Sequence, residues 1–204
     1  MKKICILDYG LGNIKSLYNS LNKIGYKPTF ASESKKKNYD IIFIPGVGSF
    51  SNGSKLIKKK YLNFLNHSFN KGISLFGICL GMQLLLSEGE ENGLNKGLNF
   101  VDGKVVKLTN KNKIKLPIVG WGKVNFKKKK EYSFLSKYQN EKFYFIHSYV
   151  ASLKDKKNEL SKSSYNGISY TSAIIKKNCV GTQFHPEKSG EVGLEFLKDW
   201  IKRL

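Results

Sequence analysis

Short, nearly continuous apolar runs alternating with helical periodicity constrain the fold of this chain more than any other feature. Residues 3–7, 28–31, 39–44 and 73–77 read as strands. Between them Ile14, Leu17, Tyr18, Leu21 and Ile24 recur at helical spacing and stop at Gly25. A second helix is expected over residues 51–70, and a third over 80–87, ending near Gly89. The first half therefore reads β-α-β-β-α-β-α. Strands too apolar to have a wet face, alternating with helices, indicate a parallel sheet covered on both sides.

The second half changes character. Residues 104–108, 119–126, 142–152, 168–175 and 180–184 read as strands with little helix between them. Such a series suits antiparallel strands added to the parallel core. Residues 127–130, four lysines, read as a charged hairpin tip. A closing helix places Val192, Phe196, Leu197, Trp200, Ile201 and Leu204 on one face, which we read as core. No linker or repeat divides the chain, so one domain over residues 1–204 is expected.

Composition narrows the classes. Hydrophobic residues make up 40% and charged residues 25%, which excludes a disordered or collagen-like chain. The net charge is +21, yet Arg203 is the single arginine beside 35 lysines. Nucleic-acid readers rely on the bidentate guanidinium. Here the lysines are scattered, at 35–37, 58–60 and 127–130 among others, so we read them as solvated surface rather than a nucleic-acid site. No apolar run reaches membrane-spanning length, and the apolar stretch after Lys3 meets Asp8 too soon for a signal peptide. A cytoplasmic protein is expected. Cys5, Cys79 and Cys179 are widely spaced and form no ligand cluster with His67, His147 or His185, so neither a disulfide framework nor a metal site is expected.

Three segments carry chemistry. In Gly77-Ile78-Cys79-Leu80-Gly81 a cysteine sits between an expected strand and an expected helix, with glycine two residues away on each side. This is the cysteine counterpart of a nucleophile elbow. The helix N-terminus behind it favours a thiolate, and the Leu80 amide would point at a developing oxyanion. A buried structural cysteine is the competing reading. In Phe184-His185-Pro186-Glu187 a histidine and a carboxylate lie two apart, on one face if extended. His185 can then act as base and Glu187 can orient it. His147 is the rival base, without a carboxylate near it in sequence. In Pro45-Gly46-Val47-Gly48 a glycine-rich turn follows a strand and can bring a second amide, of Val47 or Gly48, to an oxyanion. Gly10-Leu11-Gly12-Asn13 looks like the start of a dinucleotide fingerprint, but Lys15 stands where the third glycine belongs.

Together GICLGMQ, PGVGSF and QFHPE resemble the class I (triad-type) glutamine amidotransferases. DYGLGN, FIHSY and HPEKS resemble, within that family, the glutaminase subunits of imidazole glycerol phosphate synthases. The resemblance implies a flavodoxin-like α/β fold and a Cys79-His185-Glu187 triad that hydrolyses L-glutamine to glutamate and ammonia through a thioester. It implies no cofactor and no metal. It places Gln83 and the backbone around Ser148 and Tyr149 at the glutamine, beside Val47, Gly48 and Leu80. It also implies a heterodimer in which ammonia passes to a (β/α)8 cyclase subunit, with Asn13, Trp121 and Lys188 at the interface. The family's Pro-His-Met-Gly-Trp-Asn-like segment is altered here to Pro117-Ile118-Val119-Gly120-Trp121-Gly122. A paralogous glutaminase supplying ammonia for sugar amidination in surface-polysaccharide synthesis is the alternative.

Overall fold

The computed structural model describes residues 1–31, 38–109 and 115–204, so the lysines at 35–37 lie outside the described residues. The elements run β1 (Ile4–Ile6), α1 (Ile14–Lys23), β2 (Thr29–Phe30), β3 (Ile41–Ile44), α2 (Phe50–Asn70), β4 (Ser74–Ile78), α3 (Leu80–Leu84) and β5 (Leu86–Gly89). They continue with β6 (Asn95–Lys96), β7 (Val101–Lys107), β8 (Ile118–Lys123), β9 (Asn125–Phe126), β10 (Lys142–His147) and β11 (Tyr149–Leu153). The chain closes with β12 (Glu159–Tyr165), β13 (Ile168–Lys176), β14 (Cys179–Thr182) and α4 (Gly190–Arg203).

The main sheet runs β2-β1-β3-β4-β14-β13-β11-β7-β5-β6, with β12 paired to β13 and β9. Strands β2, β1, β3, β4 and β14 are mutually parallel. From β14 through β13 and β11 to β7 the pairing is antiparallel. This is the mostly parallel α/β sheet with antiparallel additions that the two halves of the sequence suggest.

Alternation along the strands builds two cores. Ile4, Ile6, Ile41, Phe43, Phe76 and Ile78 face Leu17 and Leu21 of α1 and Phe196, Leu197, Trp200 and Ile201 of α4. Cys5, Leu7, Ile42, Ile44 and Leu75 face Ile57, Tyr61 and Leu65 of α2 and Leu80 and Leu84 of α3. Each fully buried large apolar side chain contributes about 1.5–3 kcal/mol. Trp200 is completely buried and meets the rings of Phe76, Phe134 and Phe196, so the α4 stripe is core.

Several expected boundaries differ. The helix expected over 80–87 stops at Leu84, and Leu86–Gly89 is a strand. A run of leucines fits either period; parallel pairing of Leu86 with Val101 and of Gly89 with Val105 decides for the strand. The stretch 142–152 is two strands in two sheets, broken at Ser148. Residues 127–130 are not a hairpin tip: they lead into a 3-10 segment, Lys130–Tyr138, that packs Leu135 and Tyr138 into the core. Strand β12 was not expected, because its Ser and Lys residues alternate with only Leu160 as a strong apolar anchor.

Candidate active site

The chemistry-bearing turns gather at the carboxyl ends of the parallel strands, where open α/β sheets bind ligands. Cys79 leaves β4 with φ 52° and ψ −108°. Of the six non-glycine residues with positive φ among those described, it is the one that is buried. Such strain persists only where the surroundings enforce it. Close backbone packing enforces it here, and only glycine on either side permits that packing. A Cβ on Gly77 would lie 2.6 Å from Gly81 C and O and from Met82 N, and one on Gly81 would run into the Ile44 carbonyl. The Cys79 N–H donates to the Thr182 carbonyl at 2.7 Å, which ties the elbow to β14. The helix behind the thiol is only five residues long.

His185 and Glu187 meet differently from the extended geometry expected. Pro186–Lys188 forms a 3-10 turn that swings Glu187 back under the ring. His185 Nδ1 lies 2.7 Å from Glu187 Oε1, with both side chains almost fully buried. A carboxylate only accepts, so Nδ1 carries the proton and Nε2 is the free basic edge. Ser189 locks the segment: its hydroxyl donates to the His185 carbonyl at 2.6 Å and accepts the Tyr144 N–H at 3.0 Å. Burial opposes a charged imidazolium; the charge of Cys79 and its contact outweigh that, Glu187 adds to them, and the His185 pKa is raised. Sγ and Nε2 do not form a hydrogen bond with each other. Nε2 is buried without a hydrogen-bond partner, and Cys79 Sγ is 3.6 Å from Gln183 Nε2 and 3.7 Å from the Ile146 carbonyl oxygen.

The rival histidine has another environment. His147 is buried, and burial lowers its pKa to about 4, so it is neutral at physiological pH. Its Nδ1 faces the Tyr149 carbonyl at 3.0 Å and must donate to it. The other thiols are set apart too: burial pushes both Cys5 and Cys179 up to about 12.

A cavity of about 220 Å³ opens on Cys79 and is lined by Val47, Gly48, Leu80, Gln83, Ser148 and Tyr149, the six residues singled out from sequence for substrate. Two have less freedom than expected. Gln83 Nε2 is committed to the Tyr149 carbonyl at 3.0 Å and to Gln183 Oε1 at 3.1 Å. The Ser148 carbonyl accepts the Leu108 N–H. Gly48 has φ +117°, and Tyr9, fully buried, donates its hydroxyl to the Pro45 carbonyl at 2.6 Å and so pins this glycine-rich turn. Sequence reasoning missed Glu91, the one acidic residue lining the cavity, whose carboxylate also caps the first N–H of α2 at 2.6 Å. Its only trace in the sequence is an acidic pair in a lysine-rich chain. A larger cavity, about 540 Å³, lies beside residues 127–130 and holds no cysteine, histidine or carboxylate.

The rim is apolar. Val119 pairs with Ile146, and Trp121 with Tyr144, across β8 and β10. Trp121 is 56% exposed, and Val119, Ile146 and Val47 are exposed as well. Asn13 is exposed and caps α1 by accepting the Ser16 N–H at 3.2 Å. Lys188 is half-buried. No helix among the described residues is long and apolar enough to cross a membrane.

The glutamine amidotransferase class-I family profile matches residues 5–204. A relative from Sulfolobus acidocaldarius, the imidazole glycerol phosphate synthase subunit HisH, is 43% identical over 97% of this chain and 98% of its own length. The HisH 2 subunit of Methanococcus maripaludis is 40% identical over 98% and 99% of the two chains. HisH of Bacillus subtilis is 38% identical over 98% and 95%. Among solved structures, PurLQS from Thermotoga maritima superposes with a TM-score of 0.75 over 99% of both chains at 19% identity. A crystal structure of a glutamine amidotransferase gives 0.73 over 98% and 99% at 14% identity. Those two likenesses speak for the fold, whereas identity above one third along nearly the whole chain, with a family match from residue 5 to 204, makes this chain a member of the class I glutamine amidotransferase family.

Proposed function

We propose that this chain is the glutaminase subunit of an imidazole glycerol phosphate synthase, acting as one domain over residues 1–204 in the cytoplasm. One observation carries the chemistry: a strained, buried cysteine in the wall of a cavity sized for a single amino acid interacts with a buried His185–Glu187 pair. Cys79 attacks the side-chain amide carbon of L-glutamine, and the Sγ–C bond forms as His185 Nε2 holds the thiol proton. The C–N bond then breaks, and His185 returns that proton to the leaving ammonia. Glu187 keeps the imidazole in the tautomer with Nε2 free. The Leu80 amide, first in α3 and so without an intrahelical acceptor, and the amide of Val47 or Gly48 hold the oxyanion. Water then cleaves the thioester to glutamate. Glu91 is placed to receive the substrate's α-ammonium group.

The partner is a (β/α)8 cyclase subunit that covers the rim at Trp121, with Asn13 and Lys188 at the edge of the contact. The shared subunit name of the relatives supports this partner, and the exposed apolar residues Val47 and Ile146 of the cavity wall, with Val119 and Trp121 on the adjoining strand, support its position. No cofactor is needed for the steps above. The test is rescue of a histidine auxotroph lacking this subunit, with the cognate cyclase co-supplied. Growth is expected, with glutaminase activity low for the chain alone and raised by the ligand-bound cyclase. Failure to rescue by the expressed, folded protein overturns the histidine assignment and leaves the polysaccharide paralogue.

A further inference from the structure

Gln183 is fully buried immediately after β14, yet none of the steps above uses it. Its amide stands between two functional features. On one side Gln83 Nε2 approaches Gln183 Oε1 at 3.1 Å; on the other, Gln183 Nε2 lies 3.6 Å from Cys79 Sγ. Amide nitrogen and oxygen look alike in shape, so the orientation needs a reason. The Tyr149 backbone supplies one. Its carbonyl can only accept, and it lies 3.0 Å from Gln83 Nε2, which fixes the Gln83 amide with nitrogen outward. That same nitrogen faces Gln183, so Gln183 must present its oxygen there. Its N–H group is then left for the sulfur. A backbone carbonyl in the cavity wall thus sets the polarity of two side-chain amides in series.

The two neighbours of Cys79 Sγ act in opposite directions. The Ile146 carbonyl, 3.7 Å away, is an acceptor and can bond only a protonated thiol. The Gln183 N–H is a donor, and a donor stabilises sulfur in its anionic form. We infer that Gln183 is a further catalytic residue, whose amide N–H holds the Cys79 sulfur as a thiolate aimed into the cavity, and that Gln83 and the Tyr149 carbonyl are the positioning groups that hold that N–H in place. The role in turnover rests on the glutaminase reading; the contact with the nucleophile does not.

The test is therefore made on the thiol as well as on the reaction. The titratable groups near Cys79 are His185 backed by Glu187, together with Tyr9, His147 and Glu91, and the substitutions below leave all of them in place. Gln183→Glu keeps an acceptor for Gln83 but turns a carboxylate oxygen toward the sulfur. Gln183→Met keeps the volume and removes the polar contact. Alkylation of Cys79 by iodoacetamide is followed by peptide mass spectrometry across pH, with circular dichroism and Tm as fold controls. In both variants the midpoint of the alkylation profile is expected at higher pH, further for Glu than for Met. At a pH below the wild-type midpoint, alkylation of Gln183→Met is expected to be about tenfold slower. kcat for glutamine falls in parallel. Wild-type alkylation profiles in both folded variants overturn the inference while leaving the glutaminase reading intact. Failure of Cys79 to alkylate in the wild type overturns the nucleophile assignment and this inference together.

Discussion

Lowering the pH through 6.5 toward 4 is expected to remove about 3 kcal/mol of folding stability through His147 alone. The ring sits between Phe145 and Tyr170, with centroids 5.8 and 5.2 Å away. Its Nδ1 hydrogen is used by the Tyr149 carbonyl, and its buried Nε2 has no partner to receive a second proton's charge. Burial therefore depresses the pKa from 6.5 to about 4. The sign follows from proton counting. Between these two values the unfolded chain binds a proton that the folded chain refuses, so stability falls as pH falls. The slope approaches about 1.4 kcal/mol per pH unit in the middle of the window. The comparison is with His147→Asn, which can still donate to Tyr149 but does not titrate. This variant also loses ring packing, so its absolute stability is lower; the readout is the pH dependence of the difference. Urea unfolding at pH 7.5, 6.5, 5.5 and 4.5 measures it. The gap between wild type and variant should shrink steadily through the last three points. A gap constant to within about 0.5 kcal/mol would mean that the folded protein accepts the His147 proton as readily as the unfolded chain does, and would refute the argument.

Two further outcomes test the elbow and the dyad. In Gly77→Ala the new Cβ starts 2.6 Å from the backbone of Gly81 and Met82. Restoring ordinary contact moves the first turn of α3 by about 0.8 Å, so kcat/KM for glutamine should fall about 100-fold with about 1–3 kcal/mol of stability lost; unaltered kinetics in the folded variant would contradict the packing account. His185→Ala should lose about 10²–10⁴-fold in thioester formation, followed by rapid-quench mass spectrometry, and Glu187→Gln less, because it disturbs orientation and leaves the proton acceptor. A larger loss in His147→Asn than in His185→Ala would reassign the base.

Much of the first half was legible because local sequence and tertiary structure agree there. Alternation along β1, β3 and β4 sends Ile4, Phe43 and Phe76 to one core and Cys5, Ile42 and Leu75 to the other. A strand buried on both faces has to be apolar throughout, and that pattern survives in the sequence. The elbow was legible for a similar reason: the glycines at 77 and 81 mark backbone contacts that no other residue permits. The later boundaries were not legible, since the leucines at 84–86 suit a helix or a strand equally and only pairing with β7 separates them.

For the site, sequence by itself determined a small set of residues able to do cysteine chemistry: one cysteine in a turn, two histidines, and a carboxylate two residues from one of them. Tertiary structure decided their environments. It buried His147 as a neutral ring bonded to Tyr149, and it folded Glu187 under His185 with a 3-10 turn where an extended segment was expected. It also brought Glu91 from a remote turn to the cavity, and Gln183, just after β14, to the sulfur. Which residues a chain carries, and their local periodicity, are one-dimensional properties. Which proton a buried ring keeps and which amide faces a sulfur depend on desolvation and on partners scores of residues away, and these exist only once the sheet has assembled.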